Sequence, residues 1–90
     1  MRGMDPKFNS MTAAQYEAWV NQRISRTLLR LCVERGLSAY ALGRKCGLSD
    51  QTILNLEQGK HDRGCLTGNL ARICYHLGMT LQEFMNEALG

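Results

Sequence analysis

Between Leu37 and Lys60 the chain reads LSAYALGRKCGLSDQTILNLEQGK, and the punctuation of that stretch limits what it can become. Ala39, Leu42 and Cys46 recur at helical spacing behind Ser38, a residue suited to accept from the amides of a first helical turn. Gly47 then offers a position where a left-handed backbone costs nothing, so this helix is expected to stop there. Ser49 opens a second run in which Ile53 and Leu56 share one face, and Gly59 closes it. Two helices joined by one glycine-containing turn make a helix-turn-helix.

The flanking sequence continues the helical pattern. Thr12 and Gln15 have capping-box spacing, and from Tyr16 apolar residues recur at Val20, Ile24, Leu28 and Leu31 with no break before Gly36. One long first helix is expected. Tyr16 and Trp19 lie on its early turns, where they either cover the side of a bundle or form a dimer contact. Downstream of the central pair, Leu66, Leu70, Ile73 and Leu77 form another stripe ending at Gly78. Thr80 and Glu83 then form a second capping box, opening a helix whose Leu81, Phe84, Met85 and Leu89 pack inward or onto a partner. This makes five helices, with a single proline and few β-branched residues to favour a sheet. Residues 1–11 have no periodicity and are expected to form a flexible N-terminal segment, with one folded domain over residues 12–90.

Ninety residues with 44% hydrophobic content allow one small core, and no separate sensor domain is expected. The longest apolar run is too short for a membrane span, and MRGMDPKFNS lacks the apolar stretch of a secretory signal, so a cytoplasmic chain is expected. Cys32, Cys46, Cys65 and Cys74 contain no C-x-x-C pair. Cys32, Cys46 and Cys74 fall on predicted buried faces and read as small hydrophobes in a reducing compartment. His61 and Cys65 have metal-ligand spacing but no evident third ligand, and neither histidine joins a nucleophile motif, so neither metal, cofactor, small-molecule substrate nor catalysis is expected. The formal charge is +3, and the basic surplus lies within residues 20–65, where eight basic side chains face four acidic ones. A surplus of that size also suits an ordinary solvated surface.

The residue types narrow the choice. The stretch resembles the Cro/repressor (XRE) class of DNA-binding domains, whose pattern is met at Gly36, Leu37, Ser38, Leu42, Gly47, Leu48, Ser49, Thr52, Ile53, Leu56, Glu57, Gly59 and Lys60. The likeness runs on through GNLARICYHLGMTLQEF and covers the chain from about Val20 to Glu87. It implies an all-α, lambda-repressor-like bundle of five helices with an extended first helix, and double-stranded DNA as partner, bound by a homodimer on an inverted repeat. The third helix is then the candidate for the major groove.

With Ile53 and Leu56 in the core, a turn of about 100° per residue directs Asp50, Gln51, Leu54, Asn55 and Gln58 outward. Asp50, Gln51, Leu54 and Asn55 are the candidate base contacts. The Gln51 and Asn55 amides match adenine N6 and N7, Leu54 suits a thymine methyl, and Asp50 repels phosphate unless it accepts from cytosine N4. Outside such a motif the same residues would read as a solvated face. Phosphate contacts are expected from Lys60 and Arg63, in the loop that lies along the backbone in relatives, and from Arg44, Lys45 and Gln58. Ser38 and the helix amides from Ala39 add a further phosphate site, and Thr52 either seats the helix or touches phosphate.

The chain departs from the family pattern in several places. Relatives carry glutamine at Ala39, and an arginine at Cys32 that pairs with the glutamate equivalent to Glu57; Arg30 and Arg35 are the candidates to replace it. Arg23 and Arg26 read as solvated charges of the first helix. Many relatives have a proline after the third helix, and Cys65 rather than serine at the next cap position predicts a weak start to the fourth. The competing reading is a scaffold that docks a protein, as in antitoxin-like or adaptor relatives, through Tyr16, Trp19, Tyr40 and Leu54.

Overall fold

The computed structural model describes residues 10–60 and 67–90, and its regular elements there are five α-helices and no strand. They are α1 (Ala13–Glu34), α2 (Ala39–Lys45), α3 (Asp50–Gln58), α4 (Thr67–Leu77) and α5 (Leu81–Leu89). Each start expected from the sequence within these residues carries its cap. Thr12 Oγ1 accepts from the Gln15 amide at 3.1 Å while Gln15 Oε1 accepts from the Thr12 amide at 2.9 Å. Thr80 and Glu83 repeat the exchange at 3.0 and 2.8 Å. These bonds satisfy amides that have no partner within the helix. None of the described helices is long and apolar enough to cross a membrane.

α1 is the spine: α2, α3 and α5 all pack against it, and α4 closes the other side against α2 and α5. The stripe expected along α1 supplies Ile24, Leu28, Leu31 and Cys32 to the core. Leu42, Ile53, Leu56, Leu70, Ile73, Leu77, Phe84 and Ala88 meet them from the other four helices. Cys32, Cys46 and Cys74 are buried, as their positions on apolar faces implied. Burial pushes the Cys32 and Cys46 thiols up from the usual range, which keeps them protonated and unreactive.

Two expectations about charges are overturned. Arg23 is not a solvated charge: its Nε donates to the Ala88 carbonyl at 2.7 Å, and its guanidinium lies 5.5 Å from the centre of the Trp19 ring. A cation at the carbonyl end of α5 is favoured by the helix dipole, and the ring face adds to this. Tyr16 stacks on the same Trp19, with ring centres 5.9 Å apart. Nor are Arg30 and Arg35 seen replacing the missing arginine beside Glu57. Arg30 donates to Glu34 and Glu87, and Arg35 donates to the Leu77 carbonyl at 3.1 Å, so both guanidiniums are engaged elsewhere. The expectations for residues 1–9, for Arg63, for the His61 and Cys65 pair, and for Cys65 and Leu66 at the start of α4 lie outside the described residues.

Candidate functional site

The angle between α2 and α3 is set by the turn at Cys46–Ser49. Gly47 takes φ +76°, so its amide reaches the Arg44 carbonyl at 3.1 Å and the Leu48 amide reaches the Gly43 carbonyl at 3.0 Å. That pair of bonds is a Schellman motif, and Leu48, 7% exposed, drops into the core just after it. Ser49 then caps α3, its Oγ accepting from the Thr52 amide at 3.1 Å. The two helices pack closely because α2 presents Gly43 to α3. A Cβ built on Gly43 would lie well inside van der Waals contact with Ile53 Cγ1.

The far end of α3 is held from α1. Gly59, at φ +66°, lets the Lys60 amide bond the Asn55 carbonyl at 3.0 Å, but this leaves the Glu57 carbonyl without an amide of its own helix. Ser25 Oγ of α1 donates to that carbonyl at 2.7 Å. Ser25 is 4% exposed. Sequence reasoning missed it, although the signal was present: a serine beside Ile24 and Leu28 on an otherwise apolar face needs an acceptor across the interface. Ser25→Ala is expected to destabilise the fold by about 1–2 kcal/mol, read as a lower midpoint in urea with an unchanged slope. A variant as stable as the parent would show that this bond does not anchor α3.

With both ends fixed, α3 presents a defined outer face. Asp50, Gln51, Leu54 and Gln58 are exposed and Asn55 is half-buried, while Ile53 and Leu56 are 3% exposed in the core. Gln51 Nε2 donates to Asn55 Oδ1 at 2.9 Å, so the two amides expected to act side by side are joined. Asp50 lies 3.6 Å from the Arg44 guanidinium, and both side chains are largely exposed, which makes the pair weak and separable. Thr52 Oγ1 and Ser49 Oγ are 2.8 Å apart, so Thr52 belongs to the cap that seats the helix. Lys45, at the end of α2, and Lys60, just after α3, are exposed.

The amides opening α2 are partly taken. Ser38 Oγ accepts from the Ala41 amide at 3.0 Å, and the Ala39 side chain is buried. Arg72 of α4, which sequence reasoning did not single out, donates to the Cys46 carbonyl at 3.4 Å and steadies the turn from behind. Among the described residues no three His, Cys, Asp or Glu side chains come together as a metal site would need. The result is a short helix braced at both ends, with an amide-bearing face flanked by exposed cations.

Comparison with protein families gives one finding: a model for a Cro/C1-type HTH DNA-binding domain matches residues 27–86. No curated protein and no solved structure matches the chain. The matched region begins at Thr27, so it includes all of α2, α3 and α4 but only the last part of α1.

Proposed function

Because the chain belongs to the Cro/C1-type helix-turn-helix DNA-binding family, we infer that it is a sequence-specific transcriptional regulator that seats α3 in the major groove. The observation that carries this reading is the exposed face of α3, where Gln51 and Leu54 are open to solvent on a helix preceded in the chain by the exposed cations Arg44 and Lys45 and followed by Lys60. A helix fits the groove, where each base pair offers a distinct donor and acceptor pattern, and nearby cations supply the salt-dependent part of the affinity. In this reading Gln51, Asn55 and Leu54 touch bases, with Asp50 beside them at the start of the helix. Arg44, Lys45, Gln58, Lys60 and Arg63 follow the phosphates, with Ser38 and the amides from Ala39 at the edge. The DNA-binding unit is residues 12–90, acting in the cytoplasm as a homodimer on half-sites about 34–36 Å apart.

Duplexes selected from a random library provide the test. Asn55→Ala is expected to cost about 1–3 kcal/mol on the selected site and little on random duplex. Lys60→Ala should weaken both equally and lower the slope of log affinity against log salt by about one. Equal losses from both substitutions on both duplexes would remove base reading by α3. Absence of any association at low salt would remove DNA as the partner and favour the protein-docking scaffold. Footprinting tests the dimer, since one protected half-site in place of two would overturn it.

A further inference from the structure

The turn that ends α3 lies directly against α1. Gly59 has no side chain, and a Cβ added there would come within 2.9 Å of Gln22 Nε2 and 3.6 Å of the Asn21 carbonyl oxygen. The Gln22 carboxamide therefore rests on the residue before Lys60, the first cation after α3. One turn further along α1, Ser25 donates to the Glu57 carbonyl, so α1 meets both the last turn of α3 and the residue that follows it. Gln22 is exposed, and its side chain makes no hydrogen bond among the described residues, which leaves both N–H groups of the amide free to donate. Its neighbours on the same side of α1 are Ala18, Trp19, Ser25 and Arg26, none of them acidic, and Glu57 in the last turn of α3 is half-buried. Gln22 also lies outside the matched region, which begins at Thr27, so no family pattern gives it a role.

We propose that Gln22 is a DNA-backbone contact, its side-chain amide donating to a phosphate of the strand that Lys60 follows, so that the grip on the duplex runs from the end of α3 onto α1. The proposal rests on the reading that Lys60 follows the phosphates of a bound duplex. Glutamine side chains are ordinary phosphate donors, and such contacts fix register and orientation without carrying sequence information. A neutral donor releases no counterion, so Gln22 differs from Lys60 in kind: it adds affinity on every sequence without steepening the dependence on salt. The Ser25 bond ties the two contact points together, so they meet the strand at a fixed separation.

Binding of the full chain to a selected duplex and to a random duplex over a range of salt concentrations tests this, with thermal melts confirming that each variant folds. Gln22→Ala is expected to weaken both duplexes by the same factor, roughly three- to ten-fold, with the salt slope and the melting temperature unchanged. Gln22→Lys puts a charge at the same point, so it should tighten both and steepen the slope by about one. Gln82→Lys adds the same charge at an exposed position of α5 and should move the slope far less. A series of duplexes, each with one phosphate replaced by a neutral methylphosphonate, locates the contact: at one position the replacement should weaken the parent but not Gln22→Ala. A Gln22→Ala affinity equal to the parent's, a Gln22→Lys slope no steeper than that of Gln82→Lys, or the absence of such a position would overturn the proposal. If Lys60→Ala still lowers affinity and slope in that case, backbone contact at the end of α3 stands without Gln22. A Lys60→Ala variant that binds as the parent does would overturn the reading beneath the proposal.

Discussion

Phe84→Ala is expected to cost about 3–5 kcal/mol of stability, the range for deleting a fully enclosed aromatic ring. Phe84 is 0% exposed, the largest side chain at that depth, and it enters the core from α5. Domains of this size have about 5–15 kcal/mol in total, so the variant should be marginal, with a melting temperature lowered by well over ten degrees. The loss has two parts: the transfer energy of the ring, and the void left because α1 and α4 cannot collapse fully onto α5. Arg23 to the Ala88 carbonyl and Arg30 to Glu87 still hold α5 against α1, which favours a cavity over wholesale detachment. None of these groups lies on the face of α3 that carries Gln51, so the fraction that remains folded should select the same duplexes as the parent. Urea unfolding gives the cost. A loss below about 1 kcal/mol would mean that α5 does not close this core.

How much of this was legible in the sequence follows from how far apart the interacting groups are. The caps at Thr12, Ser38, Ser49 and Thr80, and the glycines after α1, α2, α3 and α4, act over three to six residues. Their geometry is nearly fixed once the chain turns helical. Hydrophobic spacing added which faces of α1, α3 and α4 turn toward the core, and so located the outer face of α3. The bonds that brace the site were not legible in the same way. Ser25 reaches Glu57 across 32 residues and Arg23 reaches Ala88 across 65, distances over which no local pattern constrains the partner. A long arginine in particular has several carbonyls and carboxylates within reach, and tertiary packing selects among them. Arg35 shows this, ending on the Leu77 carbonyl rather than beside Glu57. The Gln51 and Asn55 bond is an intermediate case. Their spacing of four residues put the amides within reach, but did not reveal whether each faced outward or met the other.

Gly43→Val is expected to destabilise the fold by about 3 kcal/mol, the upper end for overpacking a closed contact, and to abolish binding to a selected duplex. Replacing glycine inside a helix normally helps, by about 1 kcal/mol for alanine. Here that gain is outweighed, because even the first added carbon of a side chain overlaps Ile53 Cγ1 and comes within 2.6 Å of its Cδ1. Ile53 is 3% exposed, and the apolar void beside it, lined also by Leu42, Leu48 and Leu56, measures only about 10 Å³. That space would hold about one water molecule and cannot take an isopropyl group, so α2 and α3 must separate. Separation moves the outer face of α3 relative to Arg44 and Lys45, which is why affinity and stability should fall together. A double-mutant cycle isolates the cause. Ile53→Ala costs about 2–5 kcal/mol in the parent by emptying the core, yet in the Gly43→Val background it makes room for the new side chain and should cost far less. Additive losses would mean that the two residues do not share this space, and that the close approach of α2 to α3 is set elsewhere.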